Sequence, residues 1–205
     1  MTPSHEPAIR RATGADAEAV VAVLSAAFDR DPVWSWAFPD DDLRHEHFTR
    51  LFGVVLHSAF ELGQVWVTRG VEVAALWFPP GSAELTDADV AALPGLLEEL
   101  IGPDHTLLVL NAWDRFDAHR PTTDHWYLDF LGTHPDHAGR GLGMSLLASV
   151  LARFDTAGTP SYLESTNPAN DGRYARLGYR PRDSFEIVAG GPVATTMWRE
   201  PGGSG

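Results

Sequence analysis

The sequence predicts an α/β chain, α+β in its layout, with one mixed and mainly antiparallel sheet flanked by helices. Three observations carry this. Apolar residues recur with a strand-like run at residues 126–133 and with helical spacing at Leu142, Leu146, Leu147, Val150, Leu151 and Phe154. Two pairs of short apolar runs are joined through Arg69-Gly70 and Gly190-Gly191-Pro192, as hairpins are. Finally, strands and helices do not alternate strictly, so a doubly wound parallel sheet does not fit.

Taken in order, residues 8–11 form a short first strand, and Thr13 opens a helix with a Thr-x-x-Asp box to Asp16. Val20, Val21, Leu24, Ala27 and Phe28 make the inner face of that helix. Residues 31–39, with Trp34, Trp36 and Phe38 between prolines, read as an aromatic loop serving either the core or the wall of a cleft. A second helix covers residues 41–61, with Phe48, Leu51, Phe52, Val55 and Ala59 inward and Gly63 as its stop. Strands at 64–68 and 71–78 follow. Residues 82–120 are a helical insertion: a start at Thr86-Asp87-Ala88-Asp89, an interruption at Pro94, and a helix over 104–117. Leu107, Leu108, Leu110 and Phe116 are its partly inward residues. After the strand at 126–133 come a glycine loop, the helix named above, a strand over 161–166, a short helix ending at Leu177-Gly178, and a last hairpin of 185–188 with 193–198. One domain over residues 1–200 is expected, with 201–205 a disordered tail.

Composition excludes several functions. The chain has 205 residues, a 44% hydrophobic fraction, and a formal charge of −13. That charge argues against nucleic-acid binding, which needs a basic surface, and is compatible with a cationic partner such as an amine. There is no cysteine, so thiol nucleophiles, disulfides and thiolate metal sites are excluded. All fifteen basic residues are Arg. Schiff-base chemistry and the lysine of a phosphate-loop kinase are therefore absent. No apolar run matches a membrane span, and Met1 to Glu6 lacks a signal-peptide pattern, so a cytoplasmic protein is expected.

The stretch after residue 126 reads as a device for holding an anion. Glycines at 139, 141 and 143 let backbone N–H groups approach a phosphate, and the helix that follows adds the positive end of its dipole. Thr133-x-Pro135-Asp136-x-x-Gly139-Arg140-Gly141-Leu142-Gly143, then Tyr162-Leu163-Glu164-Ser165-Thr166-Asn167, then Tyr174-Ala175-Arg176-Leu177-Gly178-Tyr179 together resemble the GNAT superfamily of N-acetyltransferases. Within it the chain is most similar to the puromycin N-acetyltransferase type. That closer likeness runs through Gly63-Gln64-Val65-Trp66-Val67, Val73-Ala74-Ala75-Leu76-Trp77, Ala118-His119-Arg120-Pro121 and His134-Pro135-Asp136-His137, over most of residues 60–180.

The resemblance implies a GNAT fold with a splayed sheet and acetyl-CoA (coenzyme A) as donor. It implies that the backbone of Leu131, Gly132 and Thr133 pairs with the pantetheine arm, with the Leu131 N–H polarising the thioester carbonyl. The amides of Gly139, Arg140, Gly141, Leu142, Gly143 and Met144 would take the pyrophosphate, helped by the Arg140 side chain, and Asn167 and Asn170 would add donor contacts. Ala138 replaces a Gln or Arg usual in the family, which removes one side-chain contact and leaves the backbone cradle. Tyr174 occupies the position of the family's general acid. A homodimer is allowed.

Two carboxylates are candidates for the base. Asp129 sits inside an apolar strand, two residues before Leu131 and so on the same face; a desolvated carboxylate there has a raised pKa. Glu164, in the partner strand, can bind a substrate ammonium or pass on its proton. His134/His137 and His45/His47 lack a third ligand nearby in sequence, so no metal is expected. The expected activity is acetyl transfer to the primary amine of a small molecule, by direct attack in a ternary complex since no cysteine can relay the acyl group. Acylation of a peptide N-terminus and a non-catalytic acyl-CoA-binding domain are the alternatives.

Overall fold

The computed structural model describes residues 8–202; the expectations for Met1 to Glu6 and for residues 203–205 of the tail lie outside them. Strands β1 (Ile9–Arg11), β2 (Gln64–Thr68), β3 (Val73–Phe78), β4 (Trp126–Thr133), β5 (Ser161–Ser165), β6 (Arg180–Glu186) and β7 (Val193–Arg199) form one sheet in the order β1-β2-β3-β4-β5-β7-β6. All neighbours run antiparallel except β4 and β5, which are parallel. The helices are α1 (Ala17–Phe28), α2 (Pro32–Ala37), α3 (Arg44–Leu62), α4 (Asp87–Ile101), α5 (Pro103–His119), α6 (Leu142–Ala157) and α7 (Asp171–Ala175). The mixed sheet, its flanking helices and the helical insertion between the third and fourth strands follow the sequence reading. No described helix is long and apolar enough to cross a membrane.

The sheet is covered on both faces, which explains the continuous apolar run of β3. Ala74, Leu76 and Phe78 point into a core with Val20, Leu24, Phe48, Phe52, Leu97 and Val109 of α1, α3, α4 and α5. Val73, Ala75 and Trp77 point the other way, against Leu146, Leu147, Val150, Leu151 and Phe154 of α6. The six-residue helical spacing read from α6 is thus one buried face.

Four local readings are corrected. Residues 31–39 contain helix α2 rather than a loop: Pro32 takes the first helical position, and Asp31 Oδ1 accepts from the N–H groups of Val33 at 3.0 Å and Trp34 at 3.3 Å. Pro94 does not interrupt α4. It lies on the solvent face, where the carbonyl it leaves unpaired is open to water, while Leu93, Leu97 and Leu100 hold the buried stripe. Leu107 and Leu108 face outward, 61% and 47% exposed; Thr106, Val109 and Ala112 are the buried residues of α5. The last hairpin begins at Arg180, before the apolar residues, because β6 is an edge strand held by its ladder to β7 alone.

Candidate active site

The sheet opens in its middle. Strands β4 and β5 pair only through Trp126, Tyr127 and Leu128 with Ser161, Tyr162 and Leu163. Beyond that point β4 continues to Thr133 on β3, and β5 continues to Ser165 on β7, leaving a gap between them. His134 N–H donates to the Glu72 carbonyl at 2.9 Å, which sets the alternation along the end of β4. Backbone groups of Gly132 therefore turn to β3, and those of Leu131 and Thr133 turn to the gap. Of the three residues expected to pair with a donor arm, two present their polar groups. Gly132 serves packing instead: a Cβ there would lie 3.0 Å from both Ala27 Cβ and Leu24 Cδ2 of α1.

Asp129 marks the start of the gap for a structural reason. Phe130 pairs with Leu76 and Leu128 with Trp77, so Asp129 is an extra residue in β4, a β-bulge. The bulge breaks the period-two alternation that puts Asp129 and Leu131 on one face. Leu131 packs toward the α6 core, whereas Asp129 accepts a 3.4 Å hydrogen bond from the Tyr127 hydroxyl.

At the gap lies a cavity of about 270 Å³. Asp129, Leu131, Glu164, Asn170 and Tyr174 all line it, so residues up to 45 positions apart in sequence meet there. Burial pushes the Glu164 carboxyl up to about 7, against the opposing pull of the Arg120 charge. Its Oε1 is buried with no hydrogen-bond partner among the described residues. Asp129 is driven well above its ordinary value by burial and by Glu84 nearby. Burial, reinforced by the charge of Asp31, raises the Tyr174 phenol and keeps it protonated.

Two residues from the insertion complete the site: Glu84, which has no local signal in the sequence, and Arg120, which stands in the Ala118-His119-Arg120-Pro121 segment with no role assigned to it. Arg120, at the end of α5, pairs with Glu84 and sits over the Tyr127 ring, 4.1 Å from its centroid. Asp31 is the other addition. Its Oδ2 accepts from the Thr166 hydroxyl at 2.8 Å, tying α2 to the end of β5.

The glycine loop stands outside this cavity, at the exposed start of α6. Gly139 and Gly141 have φ of 76° and 75°, which a side chain resists. Arg140 between them is exposed. Gly143 lets the first turn of α6 close on β4, since a Cβ there would meet Thr133 Oγ1 at 2.8 Å. The first N–H groups of α6, at Leu142, Gly143 and Met144, lack intrahelical partners and join the dipole in favouring an anion. Asn167 caps the following 3₁₀ turn by accepting from the Ala169 N–H at 3.0 Å, so its side chain is engaged locally. His134 and His137 have ring centroids 6.2 Å apart; His45 is exposed and His47 is buried beside Phe38.

The Acetyltransferase (GNAT) family model matches residues 106–179, the span that holds the open parallel pair, the glycine loop at the start of α6 and Tyr174. The fold is that of the GNAT superfamily. The crystal structure of histone acetyltransferase HPA2 and related acetyltransferase from Corynebacterium glutamicum aligns with a TM-score of 0.73 and 25% identity, over 95% of this chain and 96% of that one. The Drosophila melanogaster polyamine N-acetyltransferase, which forms N-acetylagmatine, aligns at 0.60 and 16%, over 94% and 99%. The ribosomal-protein-S18-alanine N-acetyltransferase from Escherichia coli aligns at 0.53 and 16%, over 95% and 93%. One acts on a small amine and one on a protein alanine, so the fold alone does not choose the acceptor.

Proposed function

We propose that the protein is an acetyl-CoA-dependent N-acetyltransferase acting on the primary amine of a small molecule. The observation that carries this is the gap between β4 and β5, which opens at a cavity holding Asp129, Glu164 and Tyr174, with the glycine loop following the far end of β4. The residues present suit the donor: two unpaired backbone edges at Leu131 and Thr133, and the amides of Gly139 to Met144 with Arg140 for a pyrophosphate.

When bound, acetyl-CoA supplies the thioester carbon that the amine attacks and the thiolate that leaves. Glu164, poised near neutrality and with Oε1 lacking a partner among the described residues, takes the proton that the incoming ammonium must lose. Asp129 shares the same small space and holds the ammonium before transfer. The Leu131 N–H polarises the carbonyl, and the Tyr174 phenol donates a proton to the departing sulfur. With no cysteine in the chain, the amine attacks directly.

The test is a thermal-shift titration with coenzyme A, followed by thiol release over aminonucleosides, aminoglycosides, polyamines, monoamines and peptides with free N-termini. Aminonucleosides head the panel because residues 60–180 resemble the puromycin N-acetyltransferase type. A coenzyme A shift with thiol release from a small amine is expected. Absence of any shift sinks the reading, and a shift without release from any amine makes the chain a binding domain.

A further inference from the structure

The walls of the cavity narrow the acceptor beyond a small amine. Five carboxylates line it: Asp31, Glu84, Asp117, Asp129 and Glu164. Three are already engaged. Asp31 accepts from two backbone N–H groups and from Thr166. Glu84 pairs with Arg120, and Asp117 lies 3.5 Å from the same guanidinium with its own side chain 70% exposed. Only Asp129 and Glu164 remain for a ligand, one with a long hydrogen bond from Tyr127 and the other with an orphaned oxygen.

Burial disfavours charge on both carboxyls, and at Asp129 the charges of Glu84 and Glu164 add to it. The orphaned Glu164 Oε1, in the same cavity wall as Asp129, gives the pair a place for one ammonium. Beyond it the cavity is lined by Trp34, Val55, Leu93, Trp113 and Phe116, which can bury an apolar body but cannot solvate a second cation. The Arg120 charge beside Asp117 repels a second ammonium at that carboxylate.

Resting on the transfer reading above, we propose that the acceptor is a monoamine with an aromatic or bulky apolar body, its ammonium at Asp129 and Glu164 and its body against Trp34, Trp113 and Phe116. Linear polyamines are then poor acceptors in spite of the acidic chain.

The experiment compares phenethylamine and 4-phenylbutylamine with putrescine and spermidine on the whole chain. One readout is thiol release. The other, without donor, is quenching of intrinsic tryptophan fluorescence, since Trp34 and Trp113 face the cavity. The expected result is a KM for the arylalkylamines at least tenfold below that for the polyamines, with saturable quenching by the former only. Trp113→Ala should raise the phenethylamine KM at least tenfold while the coenzyme A thermal shift persists. Trp113→Asp, which adds a carboxylate where the body sits, should move preference toward putrescine.

Release favouring polyamines would leave the transfer reading standing and overturn the acceptor class. Quenching by phenethylamine and not putrescine, without release from any amine, would do the reverse. An unchanged phenethylamine KM in a folded Trp113→Ala, or neither binding nor turnover of the arylalkylamines, overturns the acceptor class.

Discussion

Tyr174 and Glu164 divide the proton work, and their environments say how. A phenol raised by burial and by Asp31 is an acid and not a base at neutral pH. Tyr174→Phe should lower kcat about 10²–10³-fold, within the range of general-acid catalysis, while the coenzyme A thermal shift stays as it was. Glu164 has the opposite role. As a base it works deprotonated, so kcat/KM should climb about tenfold per unit below pH 7 and level off above it. Glu164→Gln should abolish that slope and most of the rate. Stability runs the other way. The folded-state pKa lies above its ordinary value of 4.5, so the stabilisation by the protonated acid is full below about pH 4.5 and lost as pH rises to about 7. Urea midpoints across that window should fall for the parent chain and fall less for Glu164→Gln.

At the scale of elements, the misread segments show what local pattern can and cannot carry. The helix α6 and strands β2, β3 and β4 were legible because burial on a fixed face forces a fixed period. The strand β6 was not, since Arg180, Pro181, Arg182, Asp183 and Ser184 are all exposed and owe their conformation to β7. The same limit hid part of the site. Glu164 and Tyr174 stand inside motifs and Asp129 inside an apolar strand, whereas Glu84 has no pattern around it and meets Arg120 across 36 residues of insertion. The bulge at Asp129 was equally silent, because an extra residue shows only in the pairing with β3. Pro94 makes the point testable. A proline inside a helix costs about 3 kcal/mol relative to alanine in isolated helices, and α4 absorbs this by burying Leu93, Leu97 and Leu100. Pro94→Ala restores a backbone donor on the solvent face and should stabilise the chain by about 1–3 kcal/mol, less what the proline saves in the unfolded state. Thermal unfolding should show a Tm rise of several degrees with unchanged turnover.

For the whole molecule, the open sheet poses a mechanical problem that side chains solve. From Asp129 to Thr133 no ladder joins β4 to β5, so the two halves of the sheet must be held at the gap by other bonds. Three strong links are visible. The paired segment Trp126–Leu128 closes one end. Arg199 of β7 binds Asp155 of α6 with two bonds of 2.6 and 2.7 Å, tying the far half to the helix behind the glycine loop. Thr166, just past β5, donates to Asp31, whose other oxygen caps α2 and so fixes Trp34 in the cavity wall. This last link spans 135 residues and joins the end of the far half to the acceptor side. It also places a carboxylate close enough to Tyr174 to raise its phenol. Thr166→Val keeps the shape and deletes the donor, leaving one buried oxygen of Asp31 unpaired, at a cost of about 1–3 kcal/mol. A merely structural bond would lower Tm and nothing else. If the link positions the acceptor wall, KM for the amine should rise severalfold while the coenzyme A thermal shift persists, and Thr166→Ser should restore both Tm and KM. An unchanged amine KM in a Thr166→Val chain of lowered Tm would reduce the bond to a brace.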